Sequence, residues 1–149
     1  MPSSVAPAPS SVAPAPSASA SPAPAAWLPS WADADTPAAV VTRSALPFCG
    51  VEQGAGPGIT INAEVRGCFL AAYRGGTGAE FASIRSTIEG DPIATIWRTA
   101  PGGGVELLSD TTQDKFGEGV WRRTTCRVLV NDQREVFVAD GCDEGVVIP

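Results

Sequence analysis

Four cysteines and no histidine constrain this 149-residue chain more than any other feature of its sequence. Cys49, Cys68, Cys126 and Cys142 are far apart, and none forms the Cys-x-x-Cys spacing of a zinc ribbon or redox motif. Without histidine, the usual partner of cysteine in mixed zinc sites is missing. An even number of isolated cysteines points to two disulfides formed in an oxidising compartment, against the plainer alternative of four buried thiols in a cytosolic protein. Three connectivities are possible. Cys49–Cys68 with Cys126–Cys142 is favoured, because each pair closes a short local loop.

The N-terminal sixth of the chain cannot contribute to a core. Residues 2–26 use only Pro, Ser, Ala and Val, and hold half of the chain's 14 prolines. The heptad Ser3 to Pro9 repeats unchanged as Ser10 to Pro16. Such a segment buries too little apolar surface to offset the entropy of ordering. Proline at this density favours extended polyproline II, with a reach on the order of 75 Å. Residues 1–26 therefore read as a disordered spacer, 27–36 as a connector carrying Trp27 and Trp31, and 37–149 as one disulfide-bonded α+β domain. Near Met1 there is no basic stretch, apolar run or lipobox-like cysteine, so the export signal or anchor is expected outside this chain. No run of 18 apolar residues spans a membrane.

Within the domain, Thr36 followed by Pro37 marks a helix start, with the helix running to about Ala45. Gly54 to Gly58 reads as a loop. Ile61, Val65, Cys68 and Ala72 then recur at helical spacing beside an i, i+4 pair of Phe69 and Tyr73, which predicts a main helix from Ile61 to Arg74 with Cys68 on its buried side. From Ala79 the period becomes two. Strands are expected over Ala79 to Ile88, Ile93 to Thr99, Val105 to Asp110, Val120 to Val130 and Val136 to Ala139. A tight turn at Asp132–Gln133 leaves Cys126 three residues out of register with Cys142, so their bridge requires a wider loop, a bulge or a chain that curls back after Gly141.

This order of elements, over Ile61 to Ala139, resembles the cystatin-like and NTF2-like rolls. It implies an α+β fold in which a four- or five-stranded antiparallel sheet packs on the main helix and offers a concave pocket or partner surface. The resemblance rests on element order and carries over no site residue. The plan of spacer plus domain is also similar to secreted proteins and lipoproteins of high-GC Gram-positive bacteria, and the Ala-, Gly-, Pro- and Arg-rich composition fits that source.

The available chemistry is narrow. The absence of histidine removes Ser–His and Cys–His nucleophile systems. Glu80, Glu89, Asp91, Asp110, Asp114 and Glu118 are the acids from which a catalytic carboxylate pair would have to come, but most lie in turns. Asp110, Thr112 and Asp114 have the first three spacings of a calcium loop, yet Lys115 and Trp121 occupy the positions that need Gly and Glu. The net charge of −6, about −4 once Asp33 and Asp35 are set aside, argues against nucleic acid. What remains is a row on the fourth expected strand: Trp121, Arg123 and Arg127, with Thr125 between them, opposite Cys126, Val128 and Val130. With Arg85 and Trp97 they form a hypothetical binding face, since Trp and Arg dominate interaction hot spots and suit anionic polymers.

The expectation is a non-catalytic, extracytoplasmic binding domain on a wall-spanning spacer. Its partner would be a cell-envelope protein or an anionic polymer, and no metal or cofactor is called for. The alternative is an NTF2-like small-ligand pocket beside the main helix, lined by Phe69, Tyr73 and Phe81, with marginal catalysis.

Overall fold

The computed structural model describes residues 28, 36–54, 60–131 and 137–149. The spacer over 1–26, Trp27 and Trp31, and the Asp132–Gln133 turn lie outside the described residues. The chain forms α1 (Ala38–Val41), β1 (Phe48–Gln53), α2 (Ala63–Arg74), β2 (Ala79–Ser86), β3 (Pro92–Thr99), β4 (Val105–Asp110), β5 (Trp121–Asn131), β6 (Phe137–Cys142) and β7 (Val146–Ile148). Among the described residues no helix is long and apolar enough to cross a membrane.

The strands make one seven-stranded sheet in the order β1-β2-β3-β4-β5-β6, with β7 also against β5. β1 runs parallel to β2, with α2 as the crossover, and the other pairs are antiparallel. The sheet is thus larger than expected by β1 and β7. β6 and β7 share one edge of β5: Cys126 opposes Cys142 and Arg123 opposes Val146, so the three residues that connect β6 to β7 face two of β5. The excess is a bulge closed by Asp143, whose N–H donates to the Thr125 carbonyl and whose carboxylate accepts the Thr125 N–H.

α1 is much shorter than the segment to Ala45. Past Thr42, Arg43 turns its guanidinium to the sheet, donating to the Val40 carbonyl at 2.7 Å and to Glu80. Thr36 is not the expected cap: Pro37 occupies that position, and the buried Thr36 hydroxyl has no hydrogen-bond partner among the described residues. α2 begins two residues later than expected, because the Asn62 side chain accepts the N–H groups of Glu64 and Val65. It ends at Gly75, with Gly76 at φ +65°. Its buried residues are Val65, Arg66 and Phe69. Cys68 is exposed and Ile61 precedes the helix, so the buried stripe lies one position away from the expected one.

One cluster, on the α2 side, contains Val65, Phe69, Ala79, Phe81, Val105, Cys126 and Leu129. Phe69 meets Phe81 edge to face at 4.9 Å, and Phe81 stacks on Trp97 at 5.7 Å. The opposite face was expected to meet solvent. It carries a second cluster of Val40, Ile96, Leu108 and Trp121, with Leu28 and Ile148 against it. Beyond Cys126, β5 has no partner on β4. There Leu129 turns inward, its N–H donating to the Tyr73 hydroxyl at 3.0 Å, while Val128 and Val130 are exposed, contrary to the expected core set.

The disulfides are Cys49–Cys68, which ties β1 to α2, and Cys126–Cys142, which ties β5 to β6. The second bridge lies in register along the hairpin, since Cys126 opposes Cys142 and Asn131 opposes Phe137. Gly50, at φ +129°, lets β1 approach the helix: a Cβ there would meet Val65 Cγ2 at 2.8 Å.

Candidate functional site

The five residues of the expected binding face do not share a face. Trp121 is only 3 % exposed, within the cluster around Val40. Arg123 pairs with Leu108 and Val146 on that same side and is exposed, as is Arg127, whose guanidinium lies over Gly141. Arg85 and Trp97 belong to the other side. Trp97 is directly opposite Phe81 and donates its indole N–H to the Ser83 hydroxyl at 3.1 Å, and Arg85 lies four residues along β2 from Phe81. The phase of β2 is set by Phe81 facing α2. Ile84, three residues on, points away from α2, and Ile88 is 85 % exposed in the following turn.

The acids are engaged locally. Lys115 Nζ donates to Asp91 Oδ1 at 2.9 Å and the Lys115 N–H to Oδ2. The side-chain hydrogen bond, first among its causes, holds Asp91 below the usual carboxylate range and raises Lys115 above its ordinary value. Asp110 accepts from the Thr112 backbone and hydroxyl, Asp114 from the N–H groups of Phe116 and Gly117, and Glu118 from Arg122. Glu89 is exposed in the β2–β3 turn. Among the described residues no group of three or more acid or cysteine side chains is arranged to hold a metal ion. Phe69 and Phe81, expected to line a pocket beside α2, pack edge to face in the cluster on that side.

Among the described residues, a cleft lies on the other face. Glu80, Arg98, Glu106 and Thr125 are successive cross-strand partners on β2, β3, β4 and β5, so they form one row across the sheet. Glu80 is fully buried and accepts from Arg43 Nη2 at 2.8 Å, Arg43 Nε at 3.1 Å and Arg98 Nε at 3.0 Å. Arg98 Nη1 reaches Glu106 Oε2 at 2.7 Å, and Nη2 reaches the Ser44 carbonyl at 2.7 Å and its hydroxyl at 3.4 Å. Four of the five Arg98 N–H groups are therefore committed. Arg98, Glu106 and Thr125 of this row line a cleft of about 380 Å³, with Ser44, Leu46, Pro101 and Gly103 around them and Glu80 buried beneath.

Local sequence explains the walls. Pro101 and three glycines turn β3 into β4, with Gly102, Gly103 and Gly104 at φ +96°, +97° and +83°. A side chain at Gly102 or Gly103 would meet nothing within 4 Å, so this lip is open. At Gly78 the reverse holds: a Cβ would meet Leu46 Cδ2 at 2.6 Å and Pro101 Cδ at 3.3 Å, so the missing side chain lets the two walls close. A second buried pair stands apart from the cleft. Arg66 Nε and Nη2 donate to Glu52 at 2.7 and 3.0 Å, and the Asn62 N–H donates to the same carboxylate, locking the start of α2 onto β1.

The sequence places Glu80 among the candidate acids, but gives no sign that Arg43, Ser44, Arg98, Glu106 and Thr125 join it as one assembly. The signal that would have found its centre is the symmetry of Arg98 and Glu106 about the Pro-Gly-Gly-Gly turn, which places opposite charges face to face in a hairpin. No protein-family model, curated protein or solved structure matches the chain. Residue roles here rest on this chain's own geometry.

Proposed function

We propose that this chain is a non-catalytic, extracytoplasmic binding domain carried on a Pro/Ser/Ala spacer, and that the cleft over Arg98 is its binding site. The supporting observation is the ionic row beneath the cleft. A buried carboxylate held by two guanidinium groups positions Arg98 and Glu106 before any ligand arrives, which reduces the ordering cost of binding. The cleft also has the usual makeup of a small-ligand site: apolar walls from Leu46 and Pro101 with a few fixed polar groups, in a volume at the low end of the range for such sites. Two disulfides and the spacer composition support work outside the cytoplasm. The small-ligand alternative persists in an altered place, away from α2. The partner surface once assigned to Trp121, Arg123 and Arg127 loses its aromatic anchor.

The reading is tested by screening a chemically diverse fragment set by NMR against the full ¹⁵N-labelled chain. Hits are expected to shift the amides of Gly102, Gly103, Gly104 and Thr125 saturably. Thr125→Trp, which fills the cleft from an exposed position, is expected to abolish those shifts without moving the melting temperature. Hits confined to other surfaces, or unaffected by Thr125→Trp, would overturn the assignment.

A further inference from the structure

We propose that the ligand of this cleft is a neutral, polyhydroxylated ring of the size of one or two saccharide units. The inference rests on the cleft being the binding site and adds the chemistry of what it holds.

The charges decide first. Arg43 and Arg98 are matched by Glu80 and Glu106, so the floor is neutral as a unit. An anion would face Glu106. A cation would have to compete with Arg98, whose Nη1 already holds Glu106 at 2.7 Å. A neutral ligand meets neither penalty.

The hydrogen-bonding groups then select within neutral ligands. Glu106 Oε2 is taken by Arg98, while Oε1 accepts no hydrogen bond among the described residues, and the Glu106 side chain is 31 % exposed. Arg98 retains one N–H beyond its four bonds. Among the described residues the Ser44 hydroxyl oxygen receives only the 3.4 Å contact from Arg98, so its O–H can donate, and the Thr125 hydroxyl can both donate and accept. Acceptor, donor and two amphoteric hydroxyls around one cleft match adjacent hydroxyl groups, each of which gives one hydrogen bond and takes another. A ligand with only acceptors would leave Glu106 unanswered, and one with only donors would leave the Arg98 N–H unanswered.

Shape agrees. Leu46 and Pro101 present aliphatic surface to the C–H face of a saturated ring, and the glycine lip offers backbone without side chains at Gly102 and Gly103. The volume of about 380 Å³ suits a compact ligand or a short stretch of a polymer.

The test titrates the full ¹⁵N-labelled chain with D-glucose, D-galactose and N-acetyl-D-glucosamine, and in parallel with anionic D-glucuronate and cationic D-glucosamine. At least one neutral sugar is expected to shift the Gly102–Gly104 and Thr125 amides saturably, with a dissociation constant on the order of millimolar. Glu106→Gln and Ser44→Ala are each expected to weaken it about fivefold or more, and the charged sugars to bind about tenfold more weakly than the neutral one. Ser44 is exposed, so Ser44→Ala keeps the test valid if Glu106→Gln disturbs the fold. Equal or tighter binding of a charged sugar overturns the proposal. So does a fragment hit on these amides with no neutral sugar binding, and that result leaves the cleft standing as a site. If neither fragments nor sugars reach these amides, both readings fall.

Discussion

Glu80→Gln separates a structural ionic row from an incidental one. The carboxylate is fully buried and receives three N–H groups, from Arg43 at 2.8 and 3.1 Å and from Arg98 at 3.0 Å. The side chains of Arg43 and Arg98 are themselves only 2 % and 10 % exposed. The amide keeps the size of the carboxyl group but removes its charge and turns one acceptor into a donor aimed at guanidinium N–H groups. Arg98 retains Glu106 and Arg43 retains the Val40 carbonyl, but both guanidinium groups lose the buried charge that they share. Breaking a buried pair by removing one partner costs roughly 3–5 kcal/mol. For a domain of this size that is a fall in melting temperature on the order of 10–30 °C.

The comparison is Glu118→Gln. Its partner Arg122 and Glu118 itself have side chains 32 % and 68 % exposed, so the expected loss is about 0–1 kcal/mol. Urea unfolding followed by circular dichroism measures both, read as midpoint shifts at an unchanged m-value. If Glu80→Gln loses no more than Glu118→Gln, the row does not fix the cleft floor, and the preorganisation argument for binding fails with it.

Two further outcomes are expected. Alkylation of the native protein without reductant is expected to label no cysteine, and peptide mapping to return Cys49–Cys68 and Cys126–Cys142. With sequence separations of 19 and 16, reduction of each bridge is expected to cost about 3 kcal/mol, and reduced protein of unchanged stability refutes this. Because Asp91 is held below its ordinary pKa, the Lys115 contact stabilises fully above the unfolded carboxylate value. That contribution is lost as pH falls through the lower folded value. Lys115, raised above its ordinary value, loses its contribution only as pH climbs through that raised value. Lys115→Gln is expected to flatten the acid limb of the stability–pH curve, and an unchanged limb is evidence against the clip.

The elements that the sequence made legible are those with a strong local signal. β4 lies where its alternation placed it, and β3 is one residue longer, starting at Pro92. Both disulfides follow from loop closure alone. β1 was missed because Phe48–Gln53 has no alternation to read: its buried position is Glu52, 1 % exposed, and its glycine is there for helix approach. β7 is three residues long and is held by the register of β5. The cleft was not legible as a whole because its row joins four strands, and each step depends on the register set by a separate turn. The contribution of Arg43 and Ser44 depends further on α1 stopping at Val41.

The displaced binding face has a physical cause that can be tested directly. Ala79 to Ser83 are all buried, so the first half of β2 has no exposed side from which to read its phase. The isoleucines at 84 and 88 then supply the wrong one. With Phe81 on the α2 side, the Trp121 side of the sheet becomes an interior face covered by Val40 and Leu28. Trp121→Ala is therefore expected to destabilise the fold by about 3–5 kcal/mol, as loss of a large buried side chain does. Arg123→Ala, exposed on the same face, is expected to change stability by no more than about 0.5 kcal/mol. Thermal and urea unfolding of the two variants measure the contrast. If Trp121→Ala unfolds within about 0.5 kcal/mol of wild type, the ring is a surface group. The second cluster would then not be a core, and Trp121, Arg123 and Arg127 would again be candidates for a partner-binding face.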